Sequence, residues 1–271
     1  MLKFDCFFTT DVGKCRKNNE DNFYLNGNYK RVLENIKYEK KDFLYNSGLF
    51  AVCDGMGGEE FGEKAALCAV ETLKEYQSQD FNNCADEYIN KANEKVCKMI
   101  EENNGVRSGS TLALVYISDN QAVCYNVGDS RVYLLRNKTL TQISQDHTQG
   151  AQMVRMGVLT SEQALKHKSR HILTQHLGIF QSELAIKAYI SEKIQVLNDD
   201  IILLCSDGLT DMLSDKDIYN ILYENKKSAK ECANALKEKA ILNGGKDNIT
   251  VGIIKAVDRK PSFFKAFWRM F

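Results

Sequence analysis

The apolar positions of this chain fall into two periods that alternate in blocks. Short apolar runs of strand composition cover Leu2 to Thr10, Asn22 to Leu25 and Leu49 to Cys53. From Gly62 to Tyr76 the spacing becomes helical, with Ala65, Ala66, Ala69, Val70 and Leu73 on one face. Ala85 to Ile100 repeats it with Tyr88, Ile89, Ala92, Val96 and Ile100, so two amphipathic helices follow in series. After Gly109 the period returns to that of strands at Thr111 to Ile117, Ala122 to Val127 and Arg131 to Leu135, with turns at Asp119-Asn120 and Asn137-Lys138. This predicts an antiparallel meander. Thr148 to Met156 and Ser161 to His167 predict short helices in a polar, basic insert, before a strand-like Leu184 to Ile190. Asp200 to Ser206 reads as a buried strand, Ile218 to Tyr223 and Ala229 to Ile241 as a second helix pair, and Asn248 to Val257 as a closing strand. Residues 26–46 are polar and rich in Lys and Tyr without a clean period, and read as an exposed connection or hairpin. Helices that come in sequential pairs between runs of strands predict α+β layers, not alternating βαβ units.

Composition narrows the partners. Lys plus Arg and Asp plus Glu are 36 each in 271 residues, so no global field favours nucleic acid or an anionic membrane. Nine cysteines, an odd number scattered mostly in apolar runs and without a Cys-x-x-Cys pair, suit buried thiols in a reducing compartment. Residues 1–13 carry Lys3, Asp5, Thr9, Thr10 and Asp11, and no apolar run reaches membrane-spanning length. A cytoplasmic protein is expected.

The candidate chemistry lies where strands end. Leu49 to Cys53 can be buried on both faces, but Asp54 cannot be buried ionised without a positive partner. Gly55, Gly57 and Gly58 then clear side chains from a place where backbone can approach a ligand. Asp207-Gly208 repeats the form after Ile201 to Ser206. Further acids take three comparable positions: Glu20-Asp21 opening a strand, Asp129 between strands, and Asp247 before the closing strand. Taken singly, each acid is more often a turn residue or helix cap than a ligand. Should they converge, their repulsion calls for divalent cations, and an all-oxygen site suits Mg²⁺ or Mn²⁺ over zinc. Two such ions roughly 3.5–4 Å apart can polarise a phosphoryl group for in-line displacement.

Six ordered segments carry a family resemblance: Arg16-Lys17-Asn18-Asn19-Glu20-Asp21, Asp54-Gly55-Met56-Gly57-Gly58, Ser108-Gly109-Ser110-Thr111, Gly128-Asp129-Ser130-Arg131, Ser206-Asp207-Gly208 and Asp247-Asn248-Ile249-Thr250. In order and spacing they resemble protein phosphatase 2C, the metal-dependent PPM phosphatases, in its bacterial branch. The resemblance implies an αββα sandwich, two antiparallel sheets flanked by helix pairs, over residues 1–257. It implies a flap at about 147–177 beside the active-site cleft, leaving 258–271 as a tail.

By that resemblance Asp54 bridges two Mn²⁺ or Mg²⁺ ions and Gly55 lends its carbonyl. Asp207 and Asp247 complete one ion, and Glu20 or Asp21 serves the other, with Asp21 the ligand and Glu20 supporting it. Asp129 and Asp207 hold a third, weaker ion. Arg16 grips the phosphate, a guanidinium offering two donors to two oxygens. Asn248 orients Asp247. The function implied is hydrolysis of phosphoserine and phosphothreonine in proteins by in-line attack of a metal-bridging hydroxide, opposing a Ser/Thr kinase, in a monomeric enzyme.

Thr148, Arg155, Gly157 and Arg170 fall where the flap's residues are expected. His147, His167, His171 and His176 are read as surface or packing histidines. Glu59 departs from the family, whose bacterial members usually carry His there, and an ionised carboxylate is a poor acid for the leaving group. That departure keeps a catalytically weak or inactive regulatory module as the alternative. A cysteine phosphatase is disfavoured because no cysteine is followed by arginine at Cys-x₅-Arg spacing, and a two-metal nuclease because no basic groove is in view. In the tail, Phe263, Phe264, Phe267, Trp268, Met270 and Phe271 share one helical face with Lys265 and Arg269 opposite. That pattern fits packing back onto the domain as well as docking to a membrane surface or a protein groove.

Overall fold

In a computed structural model the structure describes residues 2–32, 37–45, 47–57, 61–226 and 228–258. The chain forms β1 (Leu2–Asp11), β2 (Asn22–Leu25), β3 (Lys37–Tyr45), β4 (Ser47–Cys53), β5 (Gly55–Gly57), α1 (Phe61–Lys74) and α2 (Ala85–Glu102). It continues through β6 (Ser108–Ser110), β7 (Leu112–Ser118), β8 (Gln121–Val127), β9 (Arg131–Arg136), β10 (Thr139–Gln142), α3 (Gln149–Arg155) and α4 (Ser161–Lys166). It closes with β11 (Tyr189–Ile190), β12 (Ile194–Gln195), β13 (Ile201–Cys205), α5 (Asp207–Thr210), α6 (Asp215–Glu224), α7 (Ala229–Leu242) and β14 (Ile249–Asp258). One sheet runs β10-β9-β13-β14-β1-β3 and the other β11-β8-β7-β4-β2, with β12 also on β8. β5 and β6 make a small separate ribbon.

Strand alternation explains why these runs read as continuously apolar. Along β4, Phe50 and Val52 face the other sheet, while Leu49, Ala51 and Cys53 meet α1 and α2. Along β13, Ile202 and Leu204 enter the space between sheets and Ile201, Leu203 and Cys205 pack under α6 and α7. Both faces are therefore buried. The middle layer holds Phe4, Phe8, Phe23 and Phe50, and Phe8 lies opposite Gly252 across the β1–β14 ladder. A Cβ on Gly252 would sit 2.2 Å from that ring, so the glycine makes room for the aromatic. The architecture is the expected αββα sandwich.

Three expectations from the pattern are corrected. Residues 37–45 form the long edge strand β3, paired to β1 from Lys3↔Tyr45 to Asp11↔Lys37. An edge strand rich in exposed lysine has one partner and water beyond it, so it lacks the buried alternation that would have marked it. The predicted meander also breaks after β8. At Gly128, with φ +101°, the chain leaves one sheet, and β9 pairs β13 in the other, with Leu203 opposite Tyr133. The strand-like stretch 184–190 shrinks to Tyr189–Ile190.

Candidate active site

Antiparallel pairing brings the acids to one end of the sandwich, because the finish of one strand lies beside the start of its neighbour. In the first sheet Cys205, ending β13, is opposite both Val251 near the start of β14 and Arg131 at the start of β9, and Asp11, ending β1, is opposite Ile249. In the second, Cys53, ending β4, is opposite Asn22, starting β2. Asp207, Asp247, Asp129, Asp54 and the Glu20-Asp21 pair all flank these strand ends. A run of sequence-distant acids thus becomes one cluster.

Geometry bears out the convergence. One carboxylate oxygen each from Asp129 and Asp207 and one ring nitrogen of His171 lie within 4.8 Å of one another. His171 Nδ1 is 3.8 Å from Asp207 Oδ2, and its Nε2 is 3.6 Å from Asp211 Oδ2. Burial raises the Asp54 carboxyl well above its ordinary range, reinforced by Asp21, Asp207, Asp129 and Asp247. Asp129 is raised likewise by burial, Asp207 and Asp146, and Asp207 is pushed to about 6 by burial, Asp211 and Asp247. Glu20 and Asp21 are each pushed to about 7, first by burial. So much like charge in partly dry surroundings is the signature of a cation site.

Asp21 is fully enclosed. Its Oδ2 accepts from Ser206 Oγ at 2.7 Å and from Thr250 Oγ1 at 2.6 Å, while its Oδ1 is buried without a partner among the described residues. Below it Lys30, with no solvent exposure, donates from Nζ to Asn19 O at 2.5 Å. Burial lowers the Lys30 pKa, and the nearby Asp21, Glu63 and Glu20 work to hold its charge. Gly55 cannot bear a side chain, since a Cβ there would lie 2.1 Å from Gly62 O at the start of α1 and 2.6 Å from Glu20 O. Arg16 is half-exposed and gives its Nη2 to Asp247 Oδ2 at 2.7 Å.

Asn248 departs from the role expected of it. Its Oδ1 accepts from Glu20 N–H at 2.8 Å, and its Nδ2 donates to Val12 O at 3.1 Å and Asn18 O at 2.9 Å. The side chain therefore pins the 12–20 loop, and only its backbone N–H reaches Asp247 Oδ1, at 2.8 Å. His171 corrects the reading of the histidines, because it sits among the acids with Asp211. The other three serve packing: His147 Nδ1 accepts from Gly128 N–H, His167 Nδ1 meets Ser169 Oγ, and His176 Nδ1 meets Leu177 O. Within the flap, Thr148 caps α3, Arg155 donates to Asp146 O, and Arg170 pairs Asp211. Glu59 and the 260–271 tail lie outside the described residues.

Residues 42–241 match the family model described as protein phosphatase 2C. The chain belongs to the protein phosphatase 2C family. It is 32% identical over 259 residues to the serine/threonine phosphatase stp of Listeria welshimeri, covering 92% of this chain and 94% of that one. It is 30% identical over 252 residues to protein phosphatase PhpP of Streptococcus pneumoniae, covering 90% and 94%. The Streptococcus agalactiae serine/threonine phosphatase superposes with a TM-score of 0.80 at 26% identity, over 94% of this chain and 100% of that one. The catalytic domain of PstP, solved in complex with 2 manganese ions, gives 0.77 at 28% identity over 95% and 100%.

Proposed function

We propose that this protein is a divalent-metal-dependent phosphatase that hydrolyses phosphoserine and phosphothreonine in proteins. The observation that carries this reading is the convergence of Asp129, Asp207 and His171 at one end of the sandwich beside Asp54, whose carboxyl is raised by burial and then by Asp21, Asp207, Asp129 and Asp247. The donor set is oxygen-rich and includes the unpartnered Asp21 Oδ1, which fits Mn²⁺ or Mg²⁺. In this reading Asp54, Asp207, Asp247 and the Gly55 carbonyl would hold two ions with Asp21, and Asp129 and Asp207 a third, weaker one, to which we add His171. When bound, such ions supply positive charge to the phosphoryl oxygens and lower the pKa of a water molecule.

The chain's own residues account for the rest. A guanidinium has five donors, and Arg16 commits Nη2 to Asp247, so other donors are available to phosphoryl oxygens. Asn248 holds the loop that carries Arg16, Glu20 and Asp21, and the Lys30 ammonium offsets part of the acidic charge from below. Arg131 locks the strand after Asp129 through Nε and Nη2 to Asp146, at 2.9 and 2.6 Å to Oδ2.

We further read the enzyme as a cytoplasmic monomer opposing a Ser/Thr kinase, and the tail as a docking or self-packing segment. Nine free cysteines suit a reducing compartment, and the balanced charge gives no reason to expect nucleic acid. No helix among the described residues is long and apolar enough to cross a membrane. The deciding experiment is hydrolysis of an aryl phosphate and a phosphothreonine peptide with and without Mn²⁺. Wild type should be active only with metal, and Asp54→Asn or Asp207→Asn should be folded and inactive. Metal-independent turnover, or wild-type rates in both variants, would refute the reading.

A further inference from the structure

A cavity of about 450 Å³ opens between β5, the end of α2 and the 176–183 segment. Its apolar side chains are Met56 on β5, Ile100 on α2 and Phe180, and its wall also includes Ser108, His176, Arg107 and Glu183. The volume falls within the ~300–1,000 Å³ range typical of binding clefts, ample for a large side chain. Two separate segments run from the acidic cluster to its wall. Met56 is two residues beyond Asp54, about 7 Å of extended chain. His176 is in the same segment as His171, which lies against Asp207, and Ser110 bridges to Leu177 just behind it.

The chemistry of the lining selects an uncharged occupant. Arg107 is exposed and pairs Glu183 at 3.2 Å, so the charges at the cavity cancel. His176 commits Nδ1 to Leu177 O. What remains is the apolar surface of Met56, Ile100 and Phe180. We infer that this cavity is a specificity subsite that takes an apolar side chain flanking the phosphorylated residue of a protein substrate. The inference rests on the phosphatase reading. A substrate whose phosphate is at the acids can reach this wall with a residue one or two positions away, since each extended residue spans ~3.3–3.6 Å and Met56 is at most about 7 Å of chain beyond Asp54.

The test is a set of phosphothreonine peptides with Phe, Leu, Gly or Glu at each flanking position, assayed for kcat/KM with Mn²⁺, beside an aryl phosphate that has no flanks. At one position an apolar residue should raise kcat/KM over Gly by roughly tenfold or more, as filling an apolar pocket does. Phe180→Ala should erase that preference and leave aryl phosphate turnover unchanged, and Phe180→Leu should keep part of it. Glu183→Lys changes an exposed side chain and leaves the Arg107 charge uncancelled, so it tests the subsite through charge, independently of the apolar wall. It should move the preference at that same position toward Glu. Equal cleavage of all peptides by wild type, or a preference untouched by both Phe180→Ala and Glu183→Lys, would overturn the subsite and leave the phosphatase reading standing. Failure of wild type to hydrolyse the aryl phosphate would instead sink the phosphatase reading, and the subsite with it.

Discussion

Asn248→Ala tests whether the site depends on a loop anchored from behind. The Asn248 side chain is almost fully buried and makes three hydrogen bonds, to Glu20 N, Val12 O and Asn18 O. At ~0.5–1.5 kcal/mol net for each bond, its loss should cost about 2 to 4 kcal/mol. For a domain of this size that corresponds to a fall in Tm of roughly 4 to 16 °C. Because the anchored loop carries Arg16, Glu20 and Asp21, Mn²⁺ affinity measured by calorimetry should weaken along with stability. Asn248→Asp keeps the acceptor for Glu20 N–H, loses both donors and adds charge to the acidic end, so without metal it should be no more stable than the alanine variant. Thermal melts in chelator and in Mn²⁺ separate the two effects. An unchanged Tm and an unchanged Mn²⁺ isotherm for Asn248→Ala would show that the loop does not need this anchor.

Arg16→Ala should raise KM for phosphopeptides and lower kcat/KM by an amount equivalent to about 1.5–3 kcal/mol, the worth of hydrogen bonds to charged groups; an unaltered kcat/KM would contradict its phosphate role. Asp129→Ala and His171→Ala should each reduce turnover while calorimetry still detects the tightly bound ions, and loss of those ions in either variant would mean the residue is misplaced. In chelator, native Glu20 and Asp21 protonate near pH 7 and Asp207 near 6, against about 4 for unfolded carboxyls. The native state then holds more protons than the unfolded state between about pH 4 and 7, so stability should fall as pH rises through that window. Melting curves of wild type and Asp21→Asn across the window check this: the variant should show a shallower fall, and identical slopes would count against it.

Much of this was legible because burial writes itself into sequence. β4 and β13 are covered on both faces, so they read as unbroken apolar runs, and α1, α2 and α7 are covered on one, so they read with helical period. The acids were legible as breaks in those runs. What escaped has a common cause: it depends on partners brought from elsewhere. β3 is defined by its ladder to β1, and the change of sheet after β8 by Gly128, which turns with φ +101° where no Cβ would fit beside Thr111. His171 lies in a polar insert, and only the tertiary fold sets it against Asp207. Lys30 sits in a polar stretch that gives no hint of a wholly buried ammonium.

The energetics of the acidic end follow from how it is held. Asp21, Asp54, Asp129 and Asp207 oppose one another, and nothing in the sandwich requires them to meet except the register of its strands. The β1–β14 ladder runs from Leu2↔Asp258 to Asp11↔Ile249, and β13 is paired on both sides, so the scaffold fixes the acids whether or not their charge is compensated. Ser206, just past the end of β13, and Thr250 on β14 tie Asp21, and Thr250 continues to Thr10 on β1 at 2.7 Å, so the hydroxyl network carries that fixed position across adjacent strands. Repulsion cannot be relieved by moving apart, only by protonation or by a cation. A cation that binds this preformed cluster and not the unfolded chain stabilises the fold in proportion to RT ln(1 + [M]/Kd). Stability and activity should therefore depend on the same ions, and a variant that neutralises Asp54 should weaken both metal-dependent stabilisation and turnover.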